Sequence, residues 1–173
     1  MLAAGMEGGI LKAGRFVLLI AILAALFSVA GCGSSDSSGV TVQTGSLSKA
    51  EFVKKADAIC EAARTALVAK FFNFVKTHQA AASGGSHSKA ALLGEAVDSA
   101  VAPNVEGEIH QISTLGAPGE YASEVASFLD VLQERLEKLQ EDPNQLTVSA
   151  TPFKQAGIAA EQAGMSGCAQ SLS

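Results

Sequence analysis

Near the start of the chain stands an unbroken apolar run, Phe16 to Phe27 (FVLLIAILAALF). Extended through the small residues to Ala30 it is about 15 residues long, short of the roughly 20 that a bilayer-spanning helix needs. Beyond Gly45 the pattern changes, and apolar residues recur every three or four positions, the period of an amphipathic helix. Four helices are predicted. The first runs from Ser48 to about Ala82 with Phe52, Ala56, Ile59, Ala63, Leu67, Phe71 and Phe74 on one face. Ser48 and Glu51 have the capping-box spacing, Leu47 is placed to staple onto Phe52, and Glu51 precedes Lys55 by one turn. The second covers roughly Ser88 to Leu115, with Leu93, Val97, Val101, Val105, Ile109 and Ile112 as its stripe. Pro103 lies inside it and predicts a kink or split near Ala102, because proline cannot donate the helical hydrogen bond.

The third helix is predicted from Pro118 or Gly119 to Glu141, along Ala122, Val125, Leu129, Leu132, Leu136 and Leu139. This is the cleanest periodicity in the chain. The fourth is short, from Pro152 to about Ala163, and turns Phe153, Ala156, Ala160 and Ala163 inward. Thr151-Pro152 suits its start and Gly164 its left-handed C-cap. Gly84-Gly85, Gly116 to Gly119 and Pro143 separate the helices. An amphipathic helix must cover its stripe with a neighbour, so the predicted fold is all-α, an up-down-up-down four-helix bundle over residues 47–173.

Composition agrees with that class. The chain has 173 residues, enough for one domain plus tails, and 48% of them are hydrophobic with no Trp and one Tyr. Such a composition favours helices over strands and disfavours a large aromatic-lined pocket. Removing residues 1–31 takes away Lys12, Arg15 and Glu7 and leaves ten basic and sixteen acidic residues, a net charge of −6. A mildly acidic surface repels phosphate backbones and argues against a nucleic-acid partner.

Lys12 and Arg15 precede the apolar run, and Ser28-Val29-Ala30-Gly31-Cys32 follows it. That order of positive, apolar and small residues is the pattern of an export signal, whether translation starts at Met1 or Met6. The Val29 to Cys32 stretch resembles a bacterial lipobox. The resemblance implies cleavage before Cys32 and transfer of diacylglycerol to its thiol. Residues 1–31 are then a lipoprotein signal peptide, and the protein is expected on the outer face of the cytoplasmic membrane, held by membrane lipid through Cys32. Ordinary secretion after Ala30 and an uncleaved anchor are the alternatives. A single acyl chain binds weakly, so a stable anchor needs at least two. Gly33 to Gly45 (GSSDSSGVTVQTG) cannot bury enough apolar surface to offset its ordering entropy. Residues 32–46 are therefore read as lipidated cysteine and flexible tether, about 20 Å across as a coil.

With Cys32 used for lipid, Cys60 on the first helix and Cys168 after the fourth remain. In the predicted topology the last helix returns to the starting end of the first, which agrees with a bond between helix 1 and the C-terminal tail. An extracytoplasmic compartment permits it, and a loop of about 110 residues would be closed. Two free buried thiols are the alternative. The segment Leu47 to Cys60 (LSKAEFVKKADAIC), the Leu115-Gly-Ala-Pro118 turn before a leucine-rich helix, and the ending Gln162-Ala-Gly-Met-Ser-Gly-Cys168 resemble a group of uncharacterised small secreted or lipid-anchored helical proteins of high-GC Gram-positive bacteria. This chain departs from the group's pattern with Ala163 in place of an aromatic residue and Met165 in place of Leu. The resemblance supports the Cys60–Cys168 pairing and implies no activity.

No catalytic or ligand constellation stands out. Ser86-His87 is adjacent in a Gly-rich link without a third partner, and there is no GxSxG. The i,i+4 carboxylates Asp57/Glu61, Glu120/Glu124 and Glu137/Glu141 read as solvated helix faces. His78, His87 and His110 have no metal-site spacing with either cysteine, so no metal or cofactor is expected. The most informative cluster is Phe71, Phe72 and Phe74. Phe71 and Phe74 are expected to face inward together, while Phe72 points about 100° away. They are read either as wide core packing or as an apolar contact patch for a protein, peptide or lipid. The expected function is thus a cell-envelope binding or interaction module. A structural spacer is the alternative, and an enzyme acting on wall or lipid is disfavoured.

Overall fold

The computed structural model describes residues 39–83, 88–148 and 151–173. The expected signal segment, Cys32, the expected tether up to Ser38, and Ser86 and His87 lie outside the described residues. Seven α-helices occur among the described residues: α1 Lys49–Ser83, α2 Lys89–Ala96, α3 Ala102–Ser113, α4 Ala122–Glu141, α5 Gln145–Val148, α6 Lys154–Gln162 and α7 Ser166–Ser171. A π turn, Val97–Val101, joins α2 to α3. The domain is all-α, and among the described residues the only β pairing is an isolated bridge from Thr44 to Ala117.

Local chemistry explains where α1 begins. The Ser48 backbone N–H donates to Glu51 Oε2 at 3.0 Å and the Glu51 N–H to Ser48 Oγ at 3.3 Å, the reciprocal capping box. At the predicted break near Ala102 the rod does not split. Pro103 leaves a carbonyl of the preceding turn without its donor, and the helix instead widens, with the Ala102 N–H reaching Val97 O. The π turn therefore keeps Val97, Val101, Val105, Ile109 and Ile112 buried in one stripe.

α4 starts later than predicted, at Ala122, because Pro118 to Tyr121 form a turn closed by the Tyr121 N–H on Pro118 O at 2.9 Å. Val125, Leu129, Leu132, Leu136 and Leu139 of its stripe are buried as expected, Ala122 is half-buried, and Phe128 joins them. α6 likewise starts at Lys154, two residues after Pro152, where the Lys154 N–H donates to Thr151 O at 3.1 Å. Its end is as predicted. Gly164 has φ +77°, its N–H donates to Glu161 O, and the Met165 N–H reaches back to Ala160 O, a Schellman motif. The carbonyl of Ala163, which the helix leaves without an internal donor, accepts the buried Tyr121 hydroxyl. Tyr121 in turn packs edge-on against Phe52, with ring centroids 5.7 Å apart.

α1 packs on α3 and α7, α3 on α4, α4 on α6, and α6 on α7. Cys60 and Cys168 are bonded, both fully buried. Cys168 does not sit in an irregular tail; it lies in α7, a helix too short for its pattern to be read from the sequence. Asp57 of α1, predicted to be a solvated carboxylate, caps that helix from a distance: its Oδ1 accepts the Cys168 N–H at 3.0 Å. The approach requires a glycine. A Cβ on Gly167 would lie 2.7 Å from Asp57 Cβ and Cγ. Gly167→Ala is therefore expected to lower stability by about 1–3 kcal/mol, the usual range for overpacking. Denaturant melts check this, and Asp57→Ala should relieve part of the loss in the double variant.

Part of the stretch expected to be a flexible tether, residues 40–45, packs on the helical domain. Gln43 and Gly45 donate to Ser113 O and Ala117 O at 2.7 and 2.8 Å, and Ala117 donates back to Gln43 O. Val40 and Val42 pack on the core. Gly45 and Gly116 (φ +85°) cross so closely that a Cβ on Gly45 would stand 2.8 Å from Gly116 Cα. Two valines and three backbone hydrogen bonds, invisible without their partners in the α3–α4 turn, fix residues that look polar and unstructured by composition.

Candidate binding site

α1 is 35 residues long, about 50 Å, whereas α4 has 20 residues and α6 and α7 are shorter still. Buried core positions on α1 end at Cys60. Beyond it the predicted stripe continues without full cover. Ala63, Leu67 and Phe74 are half-buried, while Phe71 is 42% exposed and Phe72 71% exposed. The expectation that Phe71 faces inward with Phe74 is thus corrected. The helix outlasts the partners that would have covered Phe71. Phe74 alone turns toward a neighbour, stacking on His78 with centroids 4.1 Å apart, while His78 Nε2 meets Glu95 Oε1 of α2 at 3.0 Å. The Phe74 carbonyl and the Glu95 carboxylate both favour the charged imidazole and raise its pKa.

A cavity of about 360 Å3 opens along this stretch. Arg64, Leu67, Val68, Phe71 and Phe72 of α1 form one wall, and Val101, Asn104, Val105 and Glu108 form the other. Leu146, Thr151, Pro152, Phe153 and the last three residues complete it, and Cys60 of the disulfide also lines it. The volume lies within the range of small-molecule sites. Asn104 is committed to the fold, since its Nδ2 donates to Ala63 O of α1 at 2.9 Å. Arg64 is committed to the rim, where its Nε meets Glu61 Oε2 at 3.3 Å.

Glu108 is different. It is 4% exposed, and its Oε1 is buried with no hydrogen-bond partner. Burial alone pushes its pKa up to about 7. A buried, unpaired carboxylate is costly, and within an apolar cavity it marks the group toward which a ligand would be directed. The sequence reading passed over it. The register held the signal: Val101, Val105, Glu108 and Ile112 follow spacings of four, three and four, so Glu108 occupies an apolar position of the stripe.

The structure brings together Cys60, Phe71 and Phe72 from the sequence candidates, and it leaves Phe74 to the side with His78. Cys32 lies outside the described residues. Of the paired carboxylates, Asp57 caps α7, Glu61 pairs with Arg64, and Glu137 accepts from Gln133 at 3.0 Å. Among the described residues no group of His, Cys, Asp or Glu is arranged to hold a metal ion. A second hollow of about 220 Å3 is polar, lined by Arg135, Lys154 and the two glutamines Gln145 and Gln155. The chain matches no family model, no curated protein and no solved structure.

Proposed function

We propose that this chain is a cell-envelope lipoprotein whose helical domain is a binding module, displayed from the outer face of the cytoplasmic membrane by lipid on Cys32. The observation that carries the binding role is the apolar groove between α1 and α3, with Phe72 exposed at its wall and Glu108 unpaired within it. A domain that serves only as a spacer has no need of either. Each such phenylalanine costs roughly 1.5–3 kcal/mol of forgone burial when left in water. The address is supported by the charged start, the short apolar run and the Val29-Ala30-Gly31-Cys32 stretch. No helix among the described residues is long and apolar enough to cross a membrane. The order of packing, from α1 through α2–α3 and α4 to α6–α7, supports reading the domain as an elaborated up-down-up-down bundle. The likeness to small anchored proteins of high-GC Gram-positive bacteria points the same way on address and says nothing of ligand.

The test is photocrosslinking in the native envelope. A photoreactive side chain at position 72 is expected to capture a discrete adduct that the same group at Ile158, exposed on α6 away from the groove, does not. Cys32→Ser should abolish palmitate incorporation and release the protein from the membrane fraction. Equal labelling from both positions removes the groove from the account; retained palmitate in Cys32→Ser removes the anchor.

A further inference from the structure

We propose that the groove binds an amphiphilic amine, its protonated nitrogen directed to the Glu108 carboxylate and its hydrocarbon lying between Phe71 and Phe72 on one side and Val101 and Val105 on the other. The inference rests on the binding-module reading and adds the ligand's chemistry.

A buried carboxylate needs a proton or a cation, and among the described residues Glu108 Oε1 has no hydrogen-bond partner. Arg64, which lines the same cavity, is held at the rim by Glu61. Burial raises the pKa of the Glu108 carboxyl to about 7. The Glu108 side chain lines the cavity, and its buried Oε1 has no donor among the described residues. An anion would be repelled by it, and a neutral chain would cover it without pairing it. A hydrated metal ion would gain nothing from phenylalanine and valine walls. An ammonium group joined to a hydrocarbon meets both halves of the site, by charge complementarity at one end and burial along the rest.

Isothermal titration with hexylammonium, hexanol and hexanoate tests this on the full lipidated chain in phosphatidylcholine vesicles at about pH 8, where an alkylamine is still protonated. The same titration into protein-free vesicles subtracts partition into lipid. Hexylammonium is expected to bind wild type at least about tenfold more tightly than hexanol, with the preference lost in Glu108→Gln. Glu108→Met, apolar and of similar length, provides a second uncharged variant. Equal affinity for hexylammonium and hexanol, both weakened by Phe72→Ser, overturns the amine and leaves the groove standing. Tightest binding of hexanoate overturns it in favour of Arg64 as anchor. No binding of any of the three overturns both.

Discussion

Replacing Cys60 and Cys168 together by alanine is expected to lower the unfolding free energy by about 5 kcal/mol, because the bond closes a loop across a sequence separation of 108 residues. Small domains are stable by roughly 5–15 kcal/mol, so the variant should lie close to the unfolding threshold at 37 °C. Chain entropy is only part of the case. Cys168 belongs to α7, a six-residue helix with no cap from its own residues, which depends on Asp57 for its first turn. A helix of that length does not persist alone in water. Without the bond, α7 retains its packing on α1 and α6 and the Asp57 cap, and the last three residues, which line the groove, depend on these. The double variant should therefore lose ligand affinity together with stability, though neither cysteine need touch the ligand. Urea melts of wild type and variant at one pH measure the first effect. Wild type melted in reductant should coincide with the variant. A loss under about 1 kcal/mol would show that packing, and not the covalent link, holds α7 in place.

What could be read from the sequence, and what could not, divides along the range of the interactions. The stripes of α3, α4 and α6, the Ser48–Glu51 box and the Gly164 cap are set by residues within one or two turns, and all were legible. The pinning of residues 40–45 by the α3–α4 turn, the capping of α7 by Asp57 and the bond from Tyr121 to Ala163 join positions far apart in the chain. No local pattern encodes those. Phe71 shows a third case. Its place on the α1 face was correct, but exposure depends on whether a neighbour reaches that far, and α7 was not in the periodicity. Glu108 was legible in position and was missed in meaning. A carboxylate in the apolar register of an otherwise regular stripe breaks the local rule, and such breaks concentrate at functional sites.

Glu108→Met is expected to stabilise the domain, and to do so in a pH-dependent way whose sign follows from burial. The carboxyl has its pKa raised from an ordinary 4.5 to about 7 in the folded state. Between those values the native protein holds the proton more tightly than the unfolded chain, so protonation favours folding. The contribution to stability is fully present below about pH 4.5 and is lost as the pH rises through 7. Above that the ionised, unpaired group opposes folding by about 3 kcal/mol relative to its protonated form. The difference in unfolding free energy between Glu108→Met and wild type should therefore be small near pH 4.5 and grow to about 3 kcal/mol by pH 8, with every other titrating group cancelling in the comparison. Urea melts of the two proteins across that range measure it. A flat difference would mean that Glu108 reaches water or an undetected partner when ionised. The same penalty gives the site its directionality. A cation that enters the groove pairs the carboxylate and removes the opposition to folding, so hexylammonium should raise the melting temperature of wild type at pH 8 and leave Glu108→Met unmoved. A residue that weakens the empty domain and strengthens the occupied one is the expected mark of a group kept for binding at the expense of stability.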